Sequence, residues 1–248
     1  MTPKKTSNPD LDLGDWEPRD SDIVILMLGQ TGSGKSTFIN VAAGRAIAPV
    51  TDAMTSCTKF IRPFVITHPQ NSTRVILVDT PGFNDTWVDD RGILKRIVDW
   101  LKQLDERGAR ATGIIYLHDI TQSRVSKEGP KAPMSPVKLD HPSMSKNVVL
   151  ATTKWEELGL NSNGAQREAE LLDIYWKTML EKGSTADRFT KTHKSAWQIA
   201  DCIKQGQING SSICLELANI LGQLPEKPRA TVYGFFTSLF WPQHKGYG

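Results

Sequence analysis

The chain has 248 residues, 39% of them hydrophobic, which fits one α/β domain with tails and leaves no room for two full domains. Lys+Arg 30 against Asp+Glu 27 gives a net charge of +3, too weak and too mixed for the clustered basic face of a nucleic-acid binder, so no nucleic-acid partner is expected. Cys57, Cys202 and Cys214 have no paired spacing, which argues against a disulfide framework or a zinc cluster and suits a reducing compartment.

Residues 1–20 are polar, carry Pro3, Pro9 and Pro18, and read as a flexible arm without the apolar stretch of a signal peptide. No run approaches the roughly 18 apolar residues of a membrane span, and a cytoplasmic location is expected, with peripheral membrane contact as a secondary reading. The domain is expected over 21–205, followed by a C-terminal helix and tail over 206–248.

Ile23 to Leu28 is a continuous apolar run, the pattern of a strand buried on both faces. It runs into Gly29-Gln30-Thr31-Gly32-Ser33-Gly34-Lys35-Ser36, the spacing of a phosphate-binding loop. Glycines at 29, 32 and 34 permit positive φ and close approach of backbone N–H groups to an anion. The helix expected over 36–43 adds its N-terminal dipole, and Gly44 closes it. In this pattern Lys35 reaches the β and γ phosphates, Ser36 ligates Mg²⁺, and Thr37 continues the phosphate-binding segment. Residues 45–58 lack a clean period and read as a loop.

Two β-like runs, 59–67 and 74–78, flank the turn sequence HPQNST and predict an antiparallel pair. The second ends in Asp79-Thr80-Pro81-Gly82. A strand ending in Asp-x-x-Gly about 40 residues beyond a phosphate loop places a carboxylate to hold Mg²⁺ through water and a glycine N–H to contact the γ-phosphate.

Asp90 to Glu106 has helical spacing of Ile93, Ile97, Trp100, Leu101 and Leu104. Strands are expected over 112–117 and 147–152. Residues 119–146, with four prolines, cannot be regular helix over most of their length. Arg167 to Lys182 reads as an amphipathic helix, Phe189 as the end of a short edge strand, and 195–204 and 211–224 as further helices. The fold class is therefore α/β: a mainly parallel central sheet with one antiparallel strand, helices on both faces, and the ligand at the carboxyl ends of the strands.

GQTGSGKS at 29–36, SCT at 56–58, DTPGF at 79–83 and TTKWE at 152–156 together resemble the ordered motif set of translation-factor-class P-loop GTPases. The SCT segment, DTPGFND and ATGIIYLHDIT are similar to the septin-like branch that includes the immunity-associated (GIMAP) and Toc GTPases and related fungal G-domain proteins. The resemblance implies a three-layer G domain, GTP or GDP as ligand and Mg²⁺ as cofactor. It implies Lys35, Thr58 and Gly82 as the residues of the hydrolytic step and Ser36, Thr58 and Asp79 as metal ligands, with Thr55 a second candidate for the switch threonine. It also implies that Thr153 and Lys154 flank the base, and that Glu156, where the family has Asp, accepts from guanine N1 and N2. Ser195-Ala196 has two readings, a base loop or a helix N-cap.

Phe83 stands where some GTPases keep a water-orienting glutamine and cannot orient water. Catalysis then uses backbone and metal alone, or a group from a second molecule. The resemblance implies pairing of two copies through the nucleotide face, with Arg45, Arg62, Arg91 and Arg124 as candidate fingers and His118 as a candidate contact with the partner nucleotide. For each arginine a solvated surface position is the simpler reading, as a plain strand-end histidine is for His118. A nucleotide-holding scaffold with little turnover and an ATPase are the competing functions. The aromatic run 232–241 has two readings, membrane interface or docking on a G domain.

Overall fold

A computed structural model describes residues 16–50, 60–83, 90–122, 142–159, 162–203 and 213–223. Its core is a six-stranded sheet of β1 (Ile23–Gly29), β2 (Arg62–Thr67), β3 (Arg74–Asp79), β4 (Ala111–Asp119), β5 (Val148–Thr153) and β6 (Thr185–Arg188). The strand order is β2-β3-β1-β4-β5-β6. Every pairing is parallel except β2 with β3, the antiparallel pair expected across HPQNST. That turn is anchored by His68: its Nδ1 accepts from the Gln70 and Asn71 amides, and its Nε2 lies 2.9 Å from Asp201.

The continuous apolar run of β1 is divided between two cores because strand side chains alternate. Val24, Leu26 and Leu28 face one layer, and Ile25 and Met27 the other. The first layer is built from α2 (Asp90–Glu106), the helical segment from Gly164 to Glu181 and α7 (Ile213–Gln223). The second is built from α1 (Lys35–Ala43) and α6 (His193–Ala200). On α2, Ile93, Leu94, Ile97, Val98, Trp100, Leu101 and Leu104 are all buried, each contributing on the order of 1.5–3 kcal/mol gross.

Three expectations change. Trp16, assigned to the flexible arm, is 7% exposed, joins the α2 core, and donates its indole N–H to Asp22 at 3.1 Å, so the folded unit starts at least five residues before Ser21. The helix expected over 167–182 begins at Gly164 and is three pieces: α4 (Gly164–Glu170), a π turn over Leu171–Tyr175, and α5 (Lys177–Glu181). The Trp176 amide donates to Leu171 O at 2.7 Å, and this widened turn lets Leu171, Trp176 and Met179 all face the core while Ile174 is left 65% exposed. The helix expected from Ser195 starts at His193 and ends at Ala200. From the proline-rich span the structure describes the end of β4, a turn to Gln122, and the short helix α3 (Pro142–Ser145). Residues 123–141, the aromatic run 232–241 and the first 15 residues of the arm lie outside the described residues.

Candidate nucleotide site

The loop leaving β1 turns through Gly29 at φ 143°, Gly32 at 80° and Gly34 at 94°, all in the range that favours glycine. At Gly29 the constraint is also spatial, since a Cβ would sit 2.4 Å from Leu117 O and 2.7 Å from Ser33 Oγ. Gly34 is the N-cap of α1 and has no side chain with which to cap the helix, so the backbone there is open to close approach. Lys35 is buried, and its ammonium donates to Gly29 O at 3.1 Å and Gln30 O at 2.9 Å, which holds the side chain across the loop. The Ser33 and Thr31 hydroxyl oxygens are buried and, among the described residues, have no hydrogen-bond partner.

Asp79 ends β3, directly beside β1, and accepts a hydrogen bond from the Ser36 hydroxyl at 2.8 Å. A carboxylate and a hydroxyl at this spacing form an oxygen donor pair suited to a hard divalent cation, so the residues fit Mg²⁺. The turn beyond Asp79 is joined to the phosphate loop. Thr80 donates to Met27 O at 2.6 Å, Phe83 N–H to Gly29 O at 3.2 Å, and Thr31 N–H to Phe83 O at 3.1 Å. Gly82 lies against Thr31. The Phe83 ring is fully buried in the α2 core.

Thr153, at the end of β5, donates to Ser33 O at 2.9 Å and so fastens the third motif to the phosphate loop. Lys154 has φ 62°, and its ammonium lies 3.0 Å from Asp119 at the end of β4. Desolvation opposes the Lys154 charge, but the Asp119 hydrogen bond and charge, with Glu157 and Glu156, outweigh it and hold the pKa above the usual lysine value. Glu156 is 3.4 Å from the Lys191 ammonium. Thr37, Asn40, Val41, Gly44, Arg45, Ala46, Val50 and Lys191 line a cavity of about 410 Å³.

Ser195-Ala196 does not form a base loop. Thr192 is the N-cap of α6 and Ser195 is its third residue, the two closing a reciprocal capping box, while Ala196 is fully buried. The loop that follows β6 beside Glu156 is instead Phe189 to Thr192. Thr58, Thr55 and Arg124 lie outside the described residues. Arg62 is exposed at the start of the edge strand β2, Arg45 is exposed just past the α1 cap, and Arg91 is in the first turn of α2. His118 packs edge-on against Trp176 at 6.0 Å, on the α2 side of the sheet, and burial pulls its pKa below the usual histidine value against a smaller opposing pull from Asp119.

Sequence reasoning missed Asp119 and Lys191. Asp119 faces Thr153 across the β4–β5 pairing, a register that no local spacing encodes. The only available signal for Lys191 was its place just beyond the short strand ending at Arg188.

A phosphate loop, an Asp-x-x-Gly turn and a Thr-Lys-x-Glu segment at the carboxyl ends of β1, β3 and β5 define a P-loop GTPase domain. The chain belongs to the 50S ribosome-binding GTPase family, whose match covers residues 24–154. Solved structures share the fold. One is from a study of the chloroplast translocon components atToc33 and psToc159, at 14% identity and TM-score 0.54, over 78% of this chain and 86% of that one. Another is Era with MgGDPNP and a 16S ribosomal RNA segment, at 18% identity and TM-score 0.51, over 85% of this chain and 59% of that one. Toc33 from Arabidopsis thaliana with GDP and Mg²⁺ is similar at 16% identity and TM-score 0.48, over 68% of this chain and 70% of that one.

Proposed function

We propose that the protein is a Mg²⁺-dependent GTP-binding switch that hydrolyses GTP to GDP and phosphate slowly by itself and faster when two G domains pair across the nucleotide. The observation that carries this reading is the convergence of Lys35, the Ser36–Asp79 pair at 2.8 Å and Gly82 on one loop at the carboxyl ends of β1 and β3. Bound Mg²⁺ supplies charge neutralisation at the phosphates. Gly29 to Thr37 cradle the phosphate chain, Lys35 stabilises charge on it, and Thr58 and Gly82 stand as the groups that respond to the γ-phosphate. Thr153, Lys154 and Glu156 receive the base. Water attacks the γ-phosphorus, the bond to the β–γ bridging oxygen breaks, and GDP leaves.

Burial of the Phe83 ring supports the pairing part of the reading, because this position offers no side chain to orient water. In the translocon structure noted above, dimerization is described as important for GTPase activity, which makes pairing a reasonable expectation here. The test is GTP turnover per molecule, with Mg²⁺, across a wide range of protein concentration. Specific activity rising with concentration is the expected result. A concentration-independent rate near the unassisted scale of about 10⁻⁴ per second would instead favour a nucleotide-holding scaffold.

A further inference from the structure

We propose that the Thr31 hydroxyl orients the attacking water in GTP hydrolysis, supplying from the phosphate loop the hydrogen bond that Phe83 cannot make. The inference rests on the GTPase reading above and adds one side chain to its hydrolytic step.

Thr31 stands on the first limb of the loop that leaves β1. The Lys35 ammonium, which a phosphate-binding loop sets against the β and γ phosphates, lies on the carbonyls of Gly29 and Gln30, at 3.1 and 2.9 Å. The γ end of the phosphate chain therefore comes to the limb on which Thr31 is the next residue.

The Thr31 backbone is fixed there. Its N–H donates to Phe83 O at 3.1 Å, Gln30 and Phe83 pair as a short parallel bridge, and the Phe83 ring is anchored in the α2 core. A Cβ on Gly82 would lie 2.4 Å from Thr31 Oγ1, so the hydroxyl sits in the seam between the loop and the glycine expected to contact the γ-phosphate. A β-branched side chain has few χ1 choices, which keeps the hydroxyl in that seam.

The Thr31 hydroxyl oxygen is buried and, among the described residues, has no hydrogen-bond partner. Buried hydroxyls are ordinarily paired, and a ligand that completes this one removes the penalty of leaving it bare. Neighbouring hydroxyls are already committed: Thr80 donates to Met27 O at 2.6 Å, Ser36 to Asp79 at 2.8 Å and Thr153 to Ser33 O at 2.9 Å. The unpaired Ser33 hydroxyl belongs to the Gly29 side of the loop, where Leu117 of β4 closes in. Thr31 thus holds the uncommitted hydroxyl that faces the Asp-x-x-Gly turn.

A hydroxyl suits this task because it accepts and donates at once. Its oxygen accepts from the water, which aims a water lone pair at the γ-phosphorus, and its own hydrogen donates to a γ-phosphate oxygen. As the new P–O bond forms, the bond to the β–γ bridging oxygen breaks and its electron pair leaves with GDP. The water proton passes to a γ-phosphate oxygen, and Thr31 keeps its own.

The experiment loads the full chain with GTP, starts hydrolysis with Mg²⁺ and follows a single turnover at a protein concentration low enough that the rate no longer depends on it. Affinity for a non-hydrolysable GTP analogue is measured alongside. Thr31→Val removes the hydroxyl and keeps the β-branched shape. Its rate is expected to fall roughly 5- to 20-fold, with analogue affinity within twofold of the unaltered protein. Thr31→Ser is expected to restore most of the rate. A Thr31→Val rate within twofold of the unaltered protein would overturn the inference, as would an affinity loss as large as the rate loss, or a Thr31→Ser rate no better than that of Thr31→Val. An unaltered protein that binds GTP and hydrolyses none at any concentration would overturn the GTPase reading beneath it.

Discussion

Gly82 and Thr31 meet backbone to backbone: a Cβ on Gly82 would lie 2.4 Å from both the Thr31 amide nitrogen and its hydroxyl oxygen. The turn that follows β3 is therefore seated on the phosphate loop, and the Thr31–Phe83 and Phe83–Gly29 backbone bonds close the contact. Gly82→Ala must move the turn, because the obstacle includes main chain. We expect it to weaken binding of a non-hydrolysable GTP analogue at least tenfold while GDP affinity stays within twofold, as read by calorimetric titration. Equal losses for both would mean that the turn supports the loop without sensing the γ-phosphate.

Phe83 was marked by its position as a residue that cannot orient water, and the structure adds that its ring is part of the core. Phe83→Gln buries an amide among apolar side chains. The expected outcome is a stability loss of about 2–4 kcal/mol in urea unfolding, with no gain in single-turnover hydrolysis. A faster rate would show that the side chain at 83 reaches the nucleotide.

Asp119 is the partner that places the Lys154 ammonium, 3.0 Å away, and its hydrogen bond and charge favour the protonated form. Asp119→Asn retains the shape and removes the charge. Guanine-nucleotide affinity is expected to fall roughly tenfold, about 1.4 kcal/mol, with phosphate-dependent contacts intact, so the loss should be similar for GDP and GTP. An affinity that does not change would reduce the pair to a surface contact.

His118 is held below the ordinary histidine pKa of 6.5, chiefly by burial. Between 6.5 and its lower folded value the unfolded chain binds more protons than the folded one. The His118 contribution to stability is thus complete above this window and is lost as pH falls through it, with a slope of at most about 1.4 kcal/mol per pH unit. His118→Phe keeps an aromatic ring against Trp176 and removes the titration. Denaturant unfolding between pH 7 and pH 5 should show a shallower decline for the variant; parallel declines would place the proton uptake elsewhere.

Much of the fold was legible because its signals are local. The apolar run before Gly29, the three glycines, the 3.6-residue period of Asp90 to Glu106 and the alternation of strands with helices each depend on neighbours a few residues apart. Where a long-range partner governs, the reading slipped. The helix expected over 167–182 is widened at Leu171 so that Trp176 enters the core, and Trp16 folds back onto Asp22 although its surroundings are polar. Ser195 carried two readings, a base-loop residue or a helix N-cap, and the N-cap is Thr192, with Ser195 closing the turn that carries Lys191.

By itself the sequence determined the phosphate loop, because the conformational freedom of Gly29, Gly32 and Gly34 and the spacing to Lys35 and Ser36 are properties of eight consecutive residues. It likewise determined that Asp79 ends a buried strand. Only the tertiary structure decided which residues meet across strands: Asp119 with Lys154, Glu156 with Lys191, Gly82 with Thr31. Those pairings follow from a strand order that sets β4 beside β5, β5 beside β6 and β3 beside β1, and from a register shared by segments tens of residues apart. Packing of the whole chain sets that register, and no short stretch of sequence carries it.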